Sequence, residues 1–173
     1  MIIVYTGDGK GKTSAALGTV LRASGYHLKT CIIQFIKDGT QYGEHHAMEQ
    51  CLGDFVDVYQ AGIGFYKLPG DENSETDHKE AAKEALKFAK KKMKDKSYDI
   101  LLLDEIITAQ NVGLVSEADL LEMMKKLPKK LHLILTGRGA SKAVIEAADL
   151  VSEIKEIKHP YQENKPAVEG IDY

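Results

Sequence analysis

Thr6-Gly7-Asp8-Gly9-Lys10-Gly11-Lys12-Thr13-Ser14 is the stretch on which the reading of this chain turns. Before it, Met1-Ile2-Ile3-Val4-Tyr5 is a short apolar run with β-branched residues, the pattern of a buried strand. After it, Ala15, Ala16, Leu17, Val20 and Leu21 recur at helical spacing. The glycines therefore fall at a strand-to-helix turn, where backbone N–H groups and a helix N-terminus bind phosphate. Glycine lets the backbone approach a ligand with no Cβ in the way. Lys12 would set an ammonium on the phosphate oxygens, and the Thr13 hydroxyl would reach a magnesium ion. The common signature has glycine five positions before its Gly-Lys-Thr, and Thr6 stands there instead. The stretch reads as a variant phosphate loop; the plainer alternative is a Gly-rich turn whose lysines are solvated.

Further along, Ile100-Leu101-Leu102-Leu103-Asp104-Glu105 is an apolar strand that ends in two acids. Ligands of a parallel sheet bind outside the carboxyl ends of its strands. Asp104 and Glu105 are therefore expected beside the phosphate loop, where a carboxylate holds magnesium directly or through water. The alternative is that one of them only caps the next segment. Residues 131–136 read as another strand, and Gly137-Arg138-Gly139 turns the chain at its carboxyl end. Arg138 is expected either to reach a phosphate or to form a structural ion pair. His132 within the strand reads as a packed histidine rather than a ligand.

The remaining segments complete the pattern. Residues 29–35 and 55–59 read as strands, and 151–157 as a weaker one. Residues 37–50 are polar and read as a loop with a short helix near its end. Adjacent His45 and His46 do not face one metal from a regular helix, whose neighbours lie at i+3 and i+4. Residues 61–77 form a long loop with Phe65 and Tyr66 side by side, either functional or packed down as anchors. Residues 78–96 are the clearest amphipathic helix, with Ala82, Ala85, Leu86, Ala89 and Met93 in one stripe. Its lysines read as a solvated face, with a docking patch as the alternative. Residues 116–127 are a second helix, opened by Ser116 and Asp119, and 141–150 a short third one. Apolar strands joined by helices give an α/β domain with a mainly parallel sheet and right-handed crossovers.

A chain of 173 residues suits one domain with a substantial core. No stretch approaches the ~20 apolar residues of a membrane span, and no signal peptide precedes the first strand. Cys31 and Cys51 lack metal-ligand spacing and read as reduced thiols of a cytoplasmic protein. The net charge of −3 gives no support for nucleic-acid binding.

Together these residues resemble the phosphate-loop branch of the ATP:corrinoid adenosyltransferases, which shares the departure at Thr6. The resemblance continues through Gln34-Phe35-Ile36-Lys37, Gly43-Glu44, Gly62-Ile63-Gly64-Phe65, Leu103-Asp104-Glu105, Thr136-Gly137-Arg138-Gly139, Lys158-His159-Pro160-Tyr161 and Gly170-Ile171-Asp172-Tyr173, covering essentially the whole chain. It implies a RecA-like fold, usually a homodimer, and transfer of the 5′-deoxyadenosyl group of ATP to the cobalt of a reduced corrinoid, with release of triphosphate. It also implies that Gly7, Asp8, Gly9, Lys10, Gly11, Lys12, Thr13 and Ser14 cradle the triphosphate. Thr13 and Glu105 would hold magnesium with Asp104 in support. Phe65 would lie under the corrin ring and displace the lower axial ligand, and an electron-donor protein would supply the reduced corrinoid. Two features depart from the family. Its members often carry an N-terminal extension over the active site, whereas this sequence starts at the first strand. They also tend to have a tryptophan where this chain has Lys67, with Tyr66 as the candidate substitute. A small phosphate-loop kinase or ATPase, and a non-catalytic nucleotide-binding module, are the competing readings.

Overall fold

The computed structural model describes residues 1–37, 42–64, 66–67, 70–163 and 165–171. Phe65, Asp172 and Tyr173, with Gly39 and Pro69, lie outside the described residues.

The described strands are β1 (Ile2–Thr6), β2 (Thr30–Gln34), β3 (Val56–Gln60), β4 (Ile100–Asp104), β5 (His132–Thr136) and β6 (Leu150–Glu153). They form one six-stranded sheet, parallel throughout, in the order β3-β2-β4-β5-β1-β6. The helices are α1 (Lys12–Ser24), α2 (Gly43–Leu52), α3 (Glu75–Lys92), α4 (Ile106–Asn111), α5 (Glu117–Lys125) and α6 (Lys142–Ala147). From β1 to β3 the chain steps toward one edge, and Ala16, Val20 and Ala23 of α1 and Met48 of α2 pack on Ile32, Leu102 and Ile134. From β3 to β6 it steps the other way, and α3 to α6 cover the opposite face through Ala85, Ala89, Ile106, Leu120, Met123 and Val144. Direction and face reverse together, so every crossover keeps the same hand. Burial of both faces explains why β2 and β4 are buried at every position and read as continuous rather than alternating apolar runs.

The register lines up a polar row at the carboxyl ends. Gln34 pairs with Gln60 on one side and Asp104 on the other, and the Leu103–Leu135 pairing brings Asp104 beside Thr136. The site is built on this row.

Several elements differ from expectation. The polar 37–50 segment contains a full helix, α2, whose start is fixed by a capping box between Tyr42 and His45. Helix α3 begins at Glu75 rather than 78 because Ser74 and Asp77 cap one another, and it ends at Lys92. Helix α4 was not foreseen; it follows directly on Glu105. Helix α6 stops at Ala147, and β6 starts at Leu150 and ends at Glu153. His132 is not packed: it is the exposed first residue of β5, with Nδ1 3.3 Å from the Met1 amine. Among the described residues no helix is long and apolar enough to cross a membrane, and Cys31 and Cys51 are both free.

Candidate active site

The loop between β1 and α1 owes its glycines to two different constraints. Gly7 has φ 102°, and a Cβ there would strike the Ile154 carbonyl oxygen. Gly9 donates its N–H to that oxygen at 2.8 Å, and a Cβ on Gly9 would meet the Lys155 carbonyl at 2.7 Å. These two glycines therefore answer to the chain's own backbone, where β6 runs out across the loop. Gly11 is different: it starts α1 with φ 108°, and nothing lies within 4 Å of where its Cβ would be. Its open side faces the cavity that Gly11 helps to line.

Lys12, the first residue of α1, is buried, and its Nζ donates to the Gly9 carbonyl at 2.7 Å. Burial holds its ammonium below the ordinary lysine value, and Arg138 adds to this. Glu105, Asp8 and Asp104 pull the other way. The ammonium is thus desolvated and folded back on its own loop.

Asp104 ends β4 and is fully buried. Its Oδ1 accepts the hydroxyls of Thr13 at 2.8 Å and Thr136 at 2.7 Å. Its Oδ2 accepts Gln34 Nε2 at 3.3 Å and faces Lys37 Nζ at 3.8 Å. Four donor groups thus surround one carboxylate. Glu105 follows in the left-handed region at φ 62°, an uncommon place for a side chain of this size. Its N–H donates to Thr136 Oγ1 at 2.9 Å, and its carboxylate accepts the Thr108 hydroxyl. Burial raises the Glu105 carboxyl above its ordinary value; Asp104 adds to the rise, while the Thr108 bond, Lys12 and Arg138 oppose it. The sharp turn at Glu105 directs its side chain away from the strand and toward the cavity beside Lys12.

That cavity has a volume of about 720 Å³. Lys10, Gly11, Lys12, Thr13 and Ser14 line one end, with Lys37, Glu44 and Glu105 near them. Leu17, Leu21, Met48, Leu52 and Ile171 form an apolar wall between α1 and α2. Among the described lining residues, Gly7, Asp8, Gly9, Asp104 and Arg138 are not found. Arg138 has an exposed side chain, and its backbone N–H donates to Thr108 Oγ1 at 2.8 Å. Gln34, Thr136, Thr108 and Lys37 had no role in the sequence reading beyond the resemblance. The signal for Gln34 and Thr136 was there all the same, as a polar residue closing an otherwise apolar strand.

The 61–77 segment is tied down on both sides of Phe65, whose own position lies outside the described residues. Gly62 rests on the Phe35 carbonyl, which a Cβ would approach to 2.5 Å. Tyr66 packs edge-on against buried His78, with ring centroids 5.2 Å apart. Asp71 accepts from His78 Nε2 at 3.0 Å, from Lys67 N at 2.8 Å and from Asn73 N at 3.1 Å. The His78 bond first, then the Lys67 N–H, brings the Asp71 carboxyl down to about 2. Tyr66 is thus an anchor of this loop.

Residues 1–173 match the family model described as ATP:corrinoid adenosyltransferase BtuR/CobO/CobP. The corrinoid adenosyltransferase of Escherichia coli (strain K12) is 35% identical over 173 residues, which is 100% of this chain and 85% of the relative. That of a Sinorhizobium species is 34% identical over 174 residues, 100% of this chain and 80% of the relative. The corrinoid adenosyltransferase CobA of Salmonella typhimurium is 31% identical over 177 residues, 100% and 85% respectively. With the match running through the glycine loop, the Asp104-Glu105 strand end and the tail, the chain belongs to the ATP:corrinoid adenosyltransferase family.

Proposed function

We propose that this chain, as one domain over residues 1–173, transfers the 5′-deoxyadenosyl group of ATP to the cobalt of a reduced corrinoid and releases triphosphate. Adenosylation of a corrinoid with ATP is supported by the family match and by the names of its relatives. The assignment of roles rests on one observation: Lys12, Thr13 and Glu105 line the same end of one cavity.

The corrinoid's Co(I) centre gives an electron pair to C5′ of ATP. A Co–C bond forms as the C5′–O bond breaks, and triphosphate leaves with the bonding pair. Co(I) is already a strong nucleophile, so the hard chemistry belongs to the corrinoid. The chain must align C5′ with cobalt and stabilise charge on the departing triphosphate. Residues 7–14 form the phosphate loop, and Lys12 exchanges its bond to Gly9 for the phosphate oxygens. Arg138 adds positive charge nearby. The Thr13 oxygen and Glu105, with Asp104 behind Thr13, make an all-oxygen donor set that suits magnesium. Bound there, magnesium would neutralise charge on the leaving group. Phe65 carries the corrin contact that the family resemblance implies, displacing the lower axial ligand, while Tyr66, packed on His78, anchors the loop beside it. No step requires a general base. The reading includes a homodimer in the cytoplasm, with an electron-donor protein that reduces the corrinoid.

The test is anaerobic incubation with ATP, magnesium and chemically reduced cobalamin, following the corrinoid spectrum and the phosphate product. Adenosylcobalamin with triphosphate supports the reading. ADP with an unchanged corrinoid would establish a kinase or ATPase instead, and nucleotide binding without turnover a non-catalytic module.

A further inference from the structure

Both ring nitrogens of His45 are engaged. The Tyr42 backbone N–H donates to Nδ1 at 2.9 Å. A nitrogen that accepts carries no proton, so the neutral ring holds its proton on Nε2. Nε2 lies 2.7 Å from Gln34 Oε1 and therefore donates to it. Gln60 Nε2 is 3.2 Å from the same nitrogen, whose single proton goes to the nearer Gln34 oxygen and which has no lone pair left to accept. With its oxygen held by His45, the Gln34 amide presents its NH₂ end to Asp104 Oδ2 at 3.3 Å. The opposite orientation would set a carbonyl oxygen against a buried carboxylate. Asp104 Oδ1 in turn receives the Thr13 hydroxyl.

We propose that His45 is a positioning residue for the magnesium site, acting through Gln34 on Asp104 and so on Thr13; this rests on the reading of Thr13 and Glu105 as the magnesium-holding pair. The backbone of α2's first turn chooses the His45 tautomer, the tautomer orients Gln34, and Gln34 fixes the carboxylate that orients the Thr13 hydroxyl. Outer partners of this kind set the direction and basicity of a metal site's ligands. The chain also links α2, whose Glu44 and Met48 line the nucleotide cavity, to the strand end that holds Thr13 in place.

Two substitutions separate the ring's two bonds. His45→Asn keeps an acceptor near the Nδ1 position and loses the donor to Gln34. His45→Gln keeps a donor near the Nε2 position and loses the acceptor for Tyr42. The measurement is ATP binding by calorimetry against magnesium concentration, without corrinoid, with the unfolding midpoint recorded beside it. The magnesium needed for half-maximal ATP binding should rise by about tenfold in His45→Asn, the low end for loss of an outer partner. In His45→Gln it should stay within about twofold of wild type, while the unfolding midpoint falls. The His45→Asn and Gln34→Ala effects on the magnesium midpoint should be non-additive, because both break one chain. An unchanged magnesium midpoint in His45→Asn, or additive effects, overturns the proposal. Wild-type protein whose ATP binding ignores magnesium overturns the metal reading itself. ADP as the product of the corrinoid assay would overturn the reaction assignment and leave the His45 result standing.

Discussion

The Thr13 hydroxyl donates to Asp104 Oδ1 at 2.8 Å, joining the first turn of α1 to the last residue of β4 across 91 positions of sequence. With its proton committed to a buried carboxylate, the Thr13 oxygen turns its lone pairs outward. Asp104 also accepts from Thr136 and Gln34 and lies 3.8 Å from Lys37 Nζ. The two consecutive acids thus sit differently: Asp104 is buried among these side chains at the end of β4, and Glu105, the next residue, lines the cavity.

Replacing Lys12 by alanine should cost turnover and not stability. The ammonium gives up hydration on burial and gains the Gly9 carbonyl in return. In the proposed reaction its use comes when charge develops on the leaving triphosphate, and electrostatic deletions of this type cost on the order of 10²-fold or more in rate. Lys12→Ala should lower kcat/KM by that order with an unfolding midpoint at or above wild type. Near-normal turnover would remove Lys12 from the mechanism.

Glu105→Gln keeps the shape of the side chain and its place beside Thr108 while removing the charge that attracts a divalent cation. The magnesium concentration for half-maximal activity should rise on the order of 10-fold or more. Because burial already disfavours the carboxylate, stability should not fall. An unshifted magnesium dependence would leave Glu105 with the structural task of starting α4.

Gly9 tests the packing of the tail on the loop. A methyl at Gly9 would collide with the Lys155 carbonyl, and backbone cannot move aside as a flexible side chain can. Gly9→Ala should therefore destabilise the fold by about 1–3 kcal/mol in denaturant unfolding, even without nucleotide. Wild-type stability in this variant would mean that the Ile154–Lys155 backbone does not lie on the loop in solution.

The parts of the fold that were legible in the sequence were those whose signal is local. The glycine loop between an apolar run and a helical stripe, and the acids closing 100–103, each carried chemistry at a fixed offset from a periodic element. What was not legible depended on pairing between distant strands. Gln34 and Thr136 matter because register sets them on either side of Asp104, and no window of sequence contains that register. Helix α2 was read only as a short helix near the end of 37–50, because it buries little: Met48 is its sole buried residue, so its periodicity was faint and its start rested on capping by His45. Gly7 and Gly9 were legible as a loop, but the reason for them was not, since Ile154 arrives from the far end of the chain.

The Asp71–His78 contact should make this loop sensitive to acid. The Asp71 carboxyl falls from an ordinary 3.8 to about 2 in the folded protein, through the His78 bond first. Its contribution to stability is therefore complete above about 4 and is lost as pH falls toward 2. Unfolding midpoints of wild type and Asp71→Asn should differ at pH 5 and converge between pH 4 and 2. A gap that stays constant over that range would mean that Asp71 holds the loop by shape rather than by charge.

Phe65 carries the proposed corrin contact, and its described neighbours define what its removal should do. Gly62 seats the start of the loop on Phe35, and Tyr66, Lys67 and Asp71 fasten the end to α3, so Phe65→Ala leaves those anchors in place. ATP binding should be nearly unchanged, because the phosphate end of the cavity is built by residues of α1, α2 and the β4 end. Adenosylation should slow mainly when the corrinoid enters as Co(II), where a retained lower ligand makes reduction harder. When Co(I) is supplied directly, no lower ligand has to be removed, and the defect should shrink toward wild type. The assay is one variant run from both oxidation states, with ATP binding measured alongside. Equal losses from Co(II) and Co(I) would reduce Phe65 to a packing role. A loss of ATP affinity would put this loop against the nucleotide and revive the kinase reading.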